Sequence, residues 1–394
     1  MIGHPLQRLH RAGVFGWLYL GMLFLSFFFF SLQYINSAFL EQYVPVTQVG
    51  LLFGIASALS VLLLGITPTL ISCFGIYRTT TALLLILYTT TLVIASQSHV
   101  GVLFVAWTLY FLLMPVVFFS FDIFLENSIQ NETQTGGIRG ILLTMGTLAA
   151  LAAPLLASMI VGEGGYYQSV FLLAAVFLIP LFFIVAYRFR EFRDPPYNTI
   201  RLGVLFRTLK TDSNMRNVTF TQFILRMYFA GMTIYMPVYL HEYIGFSWEQ
   251  IGILLFVMLL PYLLLEIPTG ILADKKLGEK EMLLVGICIT AVSTAVLSFM
   301  PQASMLLWGA GLFMTRVGSS LINTMSEVYF FKKVDGRHTD VITTFRLMRP
   351  LAFMVGPLAV SALLLVLPLS MVWLALGIFA ATGIPAALAL EDTR

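Results

Sequence analysis

The chain has 394 residues, 59% of them hydrophobic and 10% charged. An ordinary soluble domain carries roughly 25% charged residues, so this composition excludes a protein built to dissolve in water. The formal net charge of +3 gives no basic excess for nucleic acid, and the two cysteines, Cys73 and Cys288, lie far apart, which excludes a disulfide framework or a cysteine metal centre.

A membrane-spanning helix needs about 20 mostly apolar residues. Apolar segments at 14–37, 49–71, 79–96, 100–124, 139–161 and 167–187 predict six spans, and those at 218–240, 250–271, 282–300, 304–330, 344–366 and 370–390 predict six more. Arg8 and Arg11 precede the first segment in the manner of a secretory signal, but the apolar run is too long and no small-residue cleavage site follows. It reads as the first membrane helix, with Tyr19, Ser26, Gln33 and Ser37 on one face. The fourth span carries Thr108, Pro115 and Asp122. The long connection after the sixth opens with Asp194-Pro195-Pro196 and places Arg201, Arg207 and Lys210 among Ile200, Val204, Leu205 and Leu209, a spacing that predicts a short amphipathic helix on the membrane surface. The seventh span aligns Thr219, Gln222, Arg226 and Thr233 on one face, and the tenth aligns Arg316, Ser319, Ser320, Asn323 and Glu327.

The connections after the odd-numbered spans, around Glu41, His99, Glu163, Glu242, Pro301 and Leu367, contain no Lys or Arg. Basic residues gather at the termini and in the even-numbered connections, which predicts that both termini are cytoplasmic. The chain also repeats itself. Leu40-Glu41-Gln42-Tyr43 corresponds to Leu240-His241-Glu242-Tyr243, Gln48-Val49-Gly50-Leu51-Leu52 to Gln250-Ile251-Gly252-Ile253-Leu254, and Pro154 to Pro357. Six spans per copy make the repeats parallel. The expected organisation is an N-terminal bundle (1–190), a cytoplasmic linker (191–217) and a C-terminal bundle (218–394).

After the eighth span, Gly270-Ile271-Leu272-Ala273-Asp274-Lys275-Lys276-Leu277-Gly278-Glu279-Lys280 resembles the loop signature G-x-L-A-D-R-x-G-R-K of the major facilitator superfamily, with one extra residue and with Glu279 where a base is usual. The first-half counterpart, Pro68 to Arg78, keeps Gly75 and Arg78 but has Ser72 in place of the acid. Gly140, Ala149, Ala153, Pro154, Ala157 and Ser158 follow the spacing of a fifth-span exporter pattern with most glycines replaced, a weak pointer toward efflux that ordinary helix packing also explains. The resemblance implies an all-α membrane protein of twelve transmembrane helices in two pseudo-symmetric six-helix bundles, multi-pass in the plasma or inner membrane. It also implies alternating access, with Gly270, Asp274, Lys275, Gly278, Lys280, Arg139, Glu327, Asp122 and Arg78 as gating residues. The first, fourth, seventh and tenth spans would line the path.

An arginine within the membrane costs about 3 kcal/mol or more and is a functional candidate by default. Arg316 is therefore the expected principal substrate contact, with Arg226, Asn323 and Gln222 secondary and Ser319 and Gln33 beside them. For Arg226, snorkelling or pairing with Glu266 is an equal alternative. No Asp or Glu lies near the middle of a span, which argues against proton coupling or cation recognition through such a carboxylate and points to an anionic or zwitterionic organic solute. The expected partners are a small-molecule substrate, the lipid bilayer and a coupling ion, proton or sodium; no cofactor is expected. A multidrug-type exporter of lipophilic compounds is the alternative within transport. A membrane-embedded enzyme lacks visible apparatus, because the five histidines fall at ends and loops away from any nucleophile or metal set. A transporter-like receptor would have no use for the loop signature and the polar stripes.

Overall fold

The computed structural model describes residues 3–96, 99–129, 135–192, 194, 210–273, 278–300, 304–333 and 339–391. The long helices among them are α1 (Gly3–Gln33), α2 (Val46–Phe74), α3 (Ile76–Ser96), α4 (Val100–Ser128), α5 (Thr135–Val161), α6 (Tyr167–Arg188), α7 (Ser213–Val238), α8 (Trp248–Leu272), α9 (Glu279–Leu297), α10 (Met305–Lys333), α11 (Thr339–Leu363) and α12 (Leu369–Ala381). Short helices follow α1 (Asn36–Glu41) and α12 (Gly383–Leu388). Eleven of the described helices are long and apolar enough to cross a membrane, and the apolar part of α11, Met348–Leu363, is the shorter twelfth. The amphipathic helix expected over the linker lies outside the described residues.

In hydrocarbon each backbone N–H and C=O must be paired within its own segment, which is why apolar runs of this length become helices. Pro237 removes one donor near the end of α7, and the chain then widens into a π-helical turn at Tyr239–Tyr243, where Ile244 N bonds to Tyr239 O at 3.1 Å. The first span, expected to run to 37, ends at Gln33. A turn with Ile35 N bonded to Leu32 O at 3.1 Å intervenes before the short helix Asn36–Glu41. Large apolar side chains stay outside: Leu306 is 82% exposed and Leu143 68%. Lipid tails are as apolar as these side chains, so the bilayer accepts such a surface where water would not.

Contacts divide the chain into two units, Met1–Ile35 with Leu59–Thr199, and Asn36–Ala58 with Ile200–Arg394. In the first unit α1 packs on α5 and α6, and α3 packs on α4 and α6. Gly21 lets α1 approach closely, since a Cβ there would stand 2.7 Å from a ring carbon of Phe121. Among the described residues of the second unit the most extensive helix contact is between α9 and α10. They meet at Gly286 and Gly318, where a Cβ on Gly318 would fall 2.4 Å from Thr290 Oγ1, 2.5 Å from Thr290 N and 2.7 Å from Gly286 O. Small residues at such crossings substitute dispersion contact for the hydrophobic drive that lipid removes.

The N-terminal half of α2 belongs to the second unit. Gly50 sits where a Cβ would be 2.1 Å from Tyr235 Oη, 2.3 Å from Pro357 O and 2.3 Å from Ser361 Oγ. The Tyr235 hydroxyl is 3.1 Å from Pro357 O and 3.0 Å from Ser361 Oγ. One helix, α2, thus has its two halves in different units.

Candidate functional site

The polar stripes of α7 and α10 meet inside the second unit. Residues 222, 226 and 229 of α7 are spaced by four and three, so they share a face, and 316, 319, 323, 326 and 327 do the same on α10. The Arg226 guanidinium donates to Asn323 Oδ1 at 2.9 Å. The orientation of the Gln222 amide that satisfies both neighbours has its oxygen accepting from Arg226 Nε at 3.1 Å and Nη2 at 2.7 Å, with its nitrogen donating to Ser326 Oγ at 2.8 Å. Glu327 Oε1 stands 3.7 Å from Arg226 Nη2. Glu266, the partner the sequence offered, lies within electrostatic reach of Arg226, but the ion pair is made by Glu327. Arg349 of α11 also feels the Arg226 charge.

Arg316 is 1% exposed. Its guanidinium carbon lies 4.8 Å from the centroid of the Phe229 ring and 5.8 Å from that of Tyr228. Arg226 lies 5.8 Å from the same Phe229 centroid, so a single ring serves two cations, each stabilised by its quadrupole. The ring of Tyr262 on α8 packs on Phe229 with centroids 6.0 Å apart, and its hydroxyl faces Ser319 and Arg316. Ser319 is fully buried and donates to Thr315 O at 2.8 Å. Arg226 is the more open of the two cations, with 20% of its side chain exposed.

Charge defines what this arrangement can hold. Arg226 interacts with Glu266, Glu327 and Arg349 and shares the Phe229 ring with Arg316, so three guanidiniums and two carboxylates leave an excess of one positive charge when all are ionised. The Nε and Nη2 hydrogens of Arg226 are turned to Gln222 and Asn323, so an incoming carboxylate or phosphate would be met by Nη1 in a charge-assisted bond. Sequence reasoning finds the cations and the amides, because each is an isolated polar residue in an apolar helix. It misses Tyr228, Phe229 and Tyr262, since aromatic residues are common throughout these spans and only the crossing of helices brings them onto the guanidiniums.

The other expected residues are dispersed. Gln33 is half-buried in the first unit, and its Oε1 is buried without a hydrogen-bond partner. Asp122 is half-buried on α4 and Arg78 is exposed on α3. Gly270 has open space around it. Asp274, Lys275 and the Arg139 side chain lie outside the described residues. Gly278 has φ +78° and Gly75 has φ +80°, left-handed values that explain why both copies of the loop place glycine there. Lys280 donates to Leu390 O at 2.8 Å, while Glu279, 2% exposed, is paired with Lys332. In the first copy, Asp194 Oδ1 accepts from Ile76 N at 2.8 Å. A carboxylate thus stands at the start of α3 although Ser72 occupies the motif position, and it comes from beyond α6, where no local pattern announces it.

The sequence matches the family described as Major Facilitator Superfamily over residues 18–259 and 218–394. It matches no curated protein. Among solved structures it is similar to the nucleoside transporter NupG. A point mutant of NupG superposes with a TM-score of 0.76 at 12% identity, covering 95% of this chain and 99% of that one. A second NupG structure gives 0.73 at 11% identity, with 95% and 98% covered. At these identities the likeness shows the fold.

Proposed function

The chain belongs to the major facilitator superfamily and is a multi-pass membrane transporter, and from that premise we propose that it is a secondary active carrier of a small anionic or zwitterionic organic solute, working by alternating access. The observation that carries this reading is the excess of guanidinium over carboxylate on the facing stripes of α7, α8, α10 and α11. Arg226, held by Gln222 and Asn323, is the primary contact for the solute's acidic group. Arg316, stacked beneath on Phe229, adds its field, and Ser319 and Tyr262 border it. Gln33 is the contact proposed for the first bundle, because a buried amide oxygen lacking a donor is relieved by a solute that brings one.

Both termini are proposed to lie in the cytoplasm, on the basis of the Lys and Arg distribution, with bundles 1–190 and 218–394 joined through 191–217. The motif loop from Gly270 to Lys280, with Arg139, Asp122, Arg78 and Glu327, is proposed to stabilise the state closed toward the cytoplasm. The test is uptake into proteoliposomes of matched anionic, zwitterionic and lipophilic cationic solutes under imposed pH and sodium gradients. The reading requires saturable uptake of an anion or zwitterion. Uptake confined to lipophilic cations would replace it with the exporter reading.

A further inference from the structure

The end of the second unit that bears Glu41 and Glu242 contains a small titratable cluster outside the arginine site. The short helix Asn36–Glu41 is buried along Asn36 to Leu40 and packs on α7, so Glu41 is carried to the edge of a tight contact. Glu242 stands in the π-helical turn that ends α7 and interacts electrostatically with Glu41. These are near-corresponding places of the two repeats, Leu40-Glu41-Gln42-Tyr43 and Leu240-His241-Glu242-Tyr243. His241 Nε2 lies 3.8 Å from Glu242 Oε1, and His241 Nδ1 lies 3.0 Å from Phe246 O.

The second contact decides the first. A carbonyl only accepts, so Nδ1 carries the hydrogen and, in a neutral ring, Nε2 is a bare lone pair. That lone pair facing an ionised carboxylate is repulsive; one proton, on either group, makes the contact attractive. No cation is at hand to do the same. Residues 12–77, 227–274 and 350–393, which supply this end of α2, α7, α8 and α11, contain no Lys or Arg. The remaining titratable groups nearby are the phenols of Tyr43, Tyr235, Tyr239 and Tyr243 and the exposed Glu249, none of which brings a positive charge.

We propose that Glu41, His241 and Glu242 form a proton-binding site that fastens Asn36–Ala58 to α7 and α11, so that the Gly50 contact is held when the site is protonated and released when it is not. Because α2 divides between the two units, releasing this grip frees one unit's hold on the helix, which is the kind of step a carrier must take in each cycle. Burial, with Glu242 alongside, pushes the Glu41 carboxyl up to about 7. The sign follows from linkage: a carboxyl whose value is raised in the gripped form favours that form in acid, and the advantage is lost as pH rises through about 7.

The test uses full-length protein in liposomes with Cys73 and Cys288 changed to Ser. Ser361→Cys places a thiol in the grip, and Glu163→Cys supplies an exposed reference for the pH dependence of thiol reactivity itself. The alkylation rate at 361 divided by that at 163, with an impermeant maleimide, should rise about tenfold between about pH 5.5 and about pH 8.5, with a midpoint near 7. Glu41→Gln should hold the ratio at the slow, low-pH level, and Glu242→Gln, which removes the neighbouring charge, should move the midpoint to lower pH, while the thiol at 163 reacts as before. A flat ratio in the parent protein, or an unchanged rise in both variants, overturns the proposal. The outcome is independent of which solute is carried.

Discussion

Replacing Gly50 with Ala tests the grip from its steric side. The new methyl would stand 2.1 Å from Tyr235 Oη and 2.3 Å from both Pro357 O and Ser361 Oγ, whereas relaxed contacts need about 3.5 Å, so α2 must retreat by about 1 Å or more. Overpacking of this kind costs about 1–3 kcal/mol. Disturbing the Tyr235 hydroxyl, bonded at 3.1 Å and 3.0 Å, costs about 1 kcal/mol more. The helix propensity of Ala acts equally in both forms and cancels. The net is about 3 kcal/mol against the gripped form, or a ~160-fold change in its population relative to the released one. Spin labels at Gln42 and Glu249, both exposed and both in the second unit, report the separation by pulsed dipolar spectroscopy. The Gly50→Ala distribution should broaden toward longer distances. An unchanged distribution in a folded, reconstituted protein would refute the contact as the holding point.

Two further substitutions separate roles within the second unit. Glu327→Gln should tighten an anionic solute by up to about fivefold, because it removes a competitor for Arg226 whose half-exposed ion pair is worth only about 0.2–1 kcal/mol; equilibrium binding to purified protein measures it, and weaker binding would mean that Glu327 itself holds the solute. Gly318→Val should lower thermal stability in detergent and in lipid, by about 2 kcal/mol or more, since its Cβ meets the backbone of Thr290 and Gly286 at 2.5 Å and 2.7 Å; an unshifted melting curve would show that α9 and α10 can part there without cost.

The spans and the duplication were legible because lipid imposes a length and a polarity on every helix, and because both copies keep Gln-x-Gly and a central proline at nearly the same offset. Helical spacing put Arg226 and Gln222 on one face of α7 and Asn323 on one face of α10, and the family resemblance, not spacing, implied that the two faces share a path. Glu327 could be seen as a partner for some neighbouring base, but that the base is Arg226 depends on the angle at which α10 crosses α7, which residue spacing does not contain. The Gly50 contact was hidden for a similar reason: glycine in a membrane helix is common, and only the Tyr235 hydroxyl and the Pro357 carbonyl reveal what it makes room for. Asp194 was read as the start of a linker, and its place at the N-terminus of α3 joins residues 118 apart in the chain.

On the proposed function, an acidic group on the solute is held by the guanidinium of Arg226 with Arg316 behind it. Counterflow of the best anionic or zwitterionic solute, measured in proteoliposomes with Arg226→Lys, Arg316→Lys and Arg316→Ala, tests it most directly. A lysine keeps the charge but loses the planar fork and its bonds to Gln222 and Asn323, so Arg226→Lys should weaken apparent affinity by about tenfold, the equivalent of ~1.4 kcal/mol for one charge-assisted bond. Arg316→Lys should weaken it less than Arg316→Ala. Affinity for the anion unchanged in all three, or a lipophilic cation carried equally well by Arg316→Ala and the parent, would contradict the account.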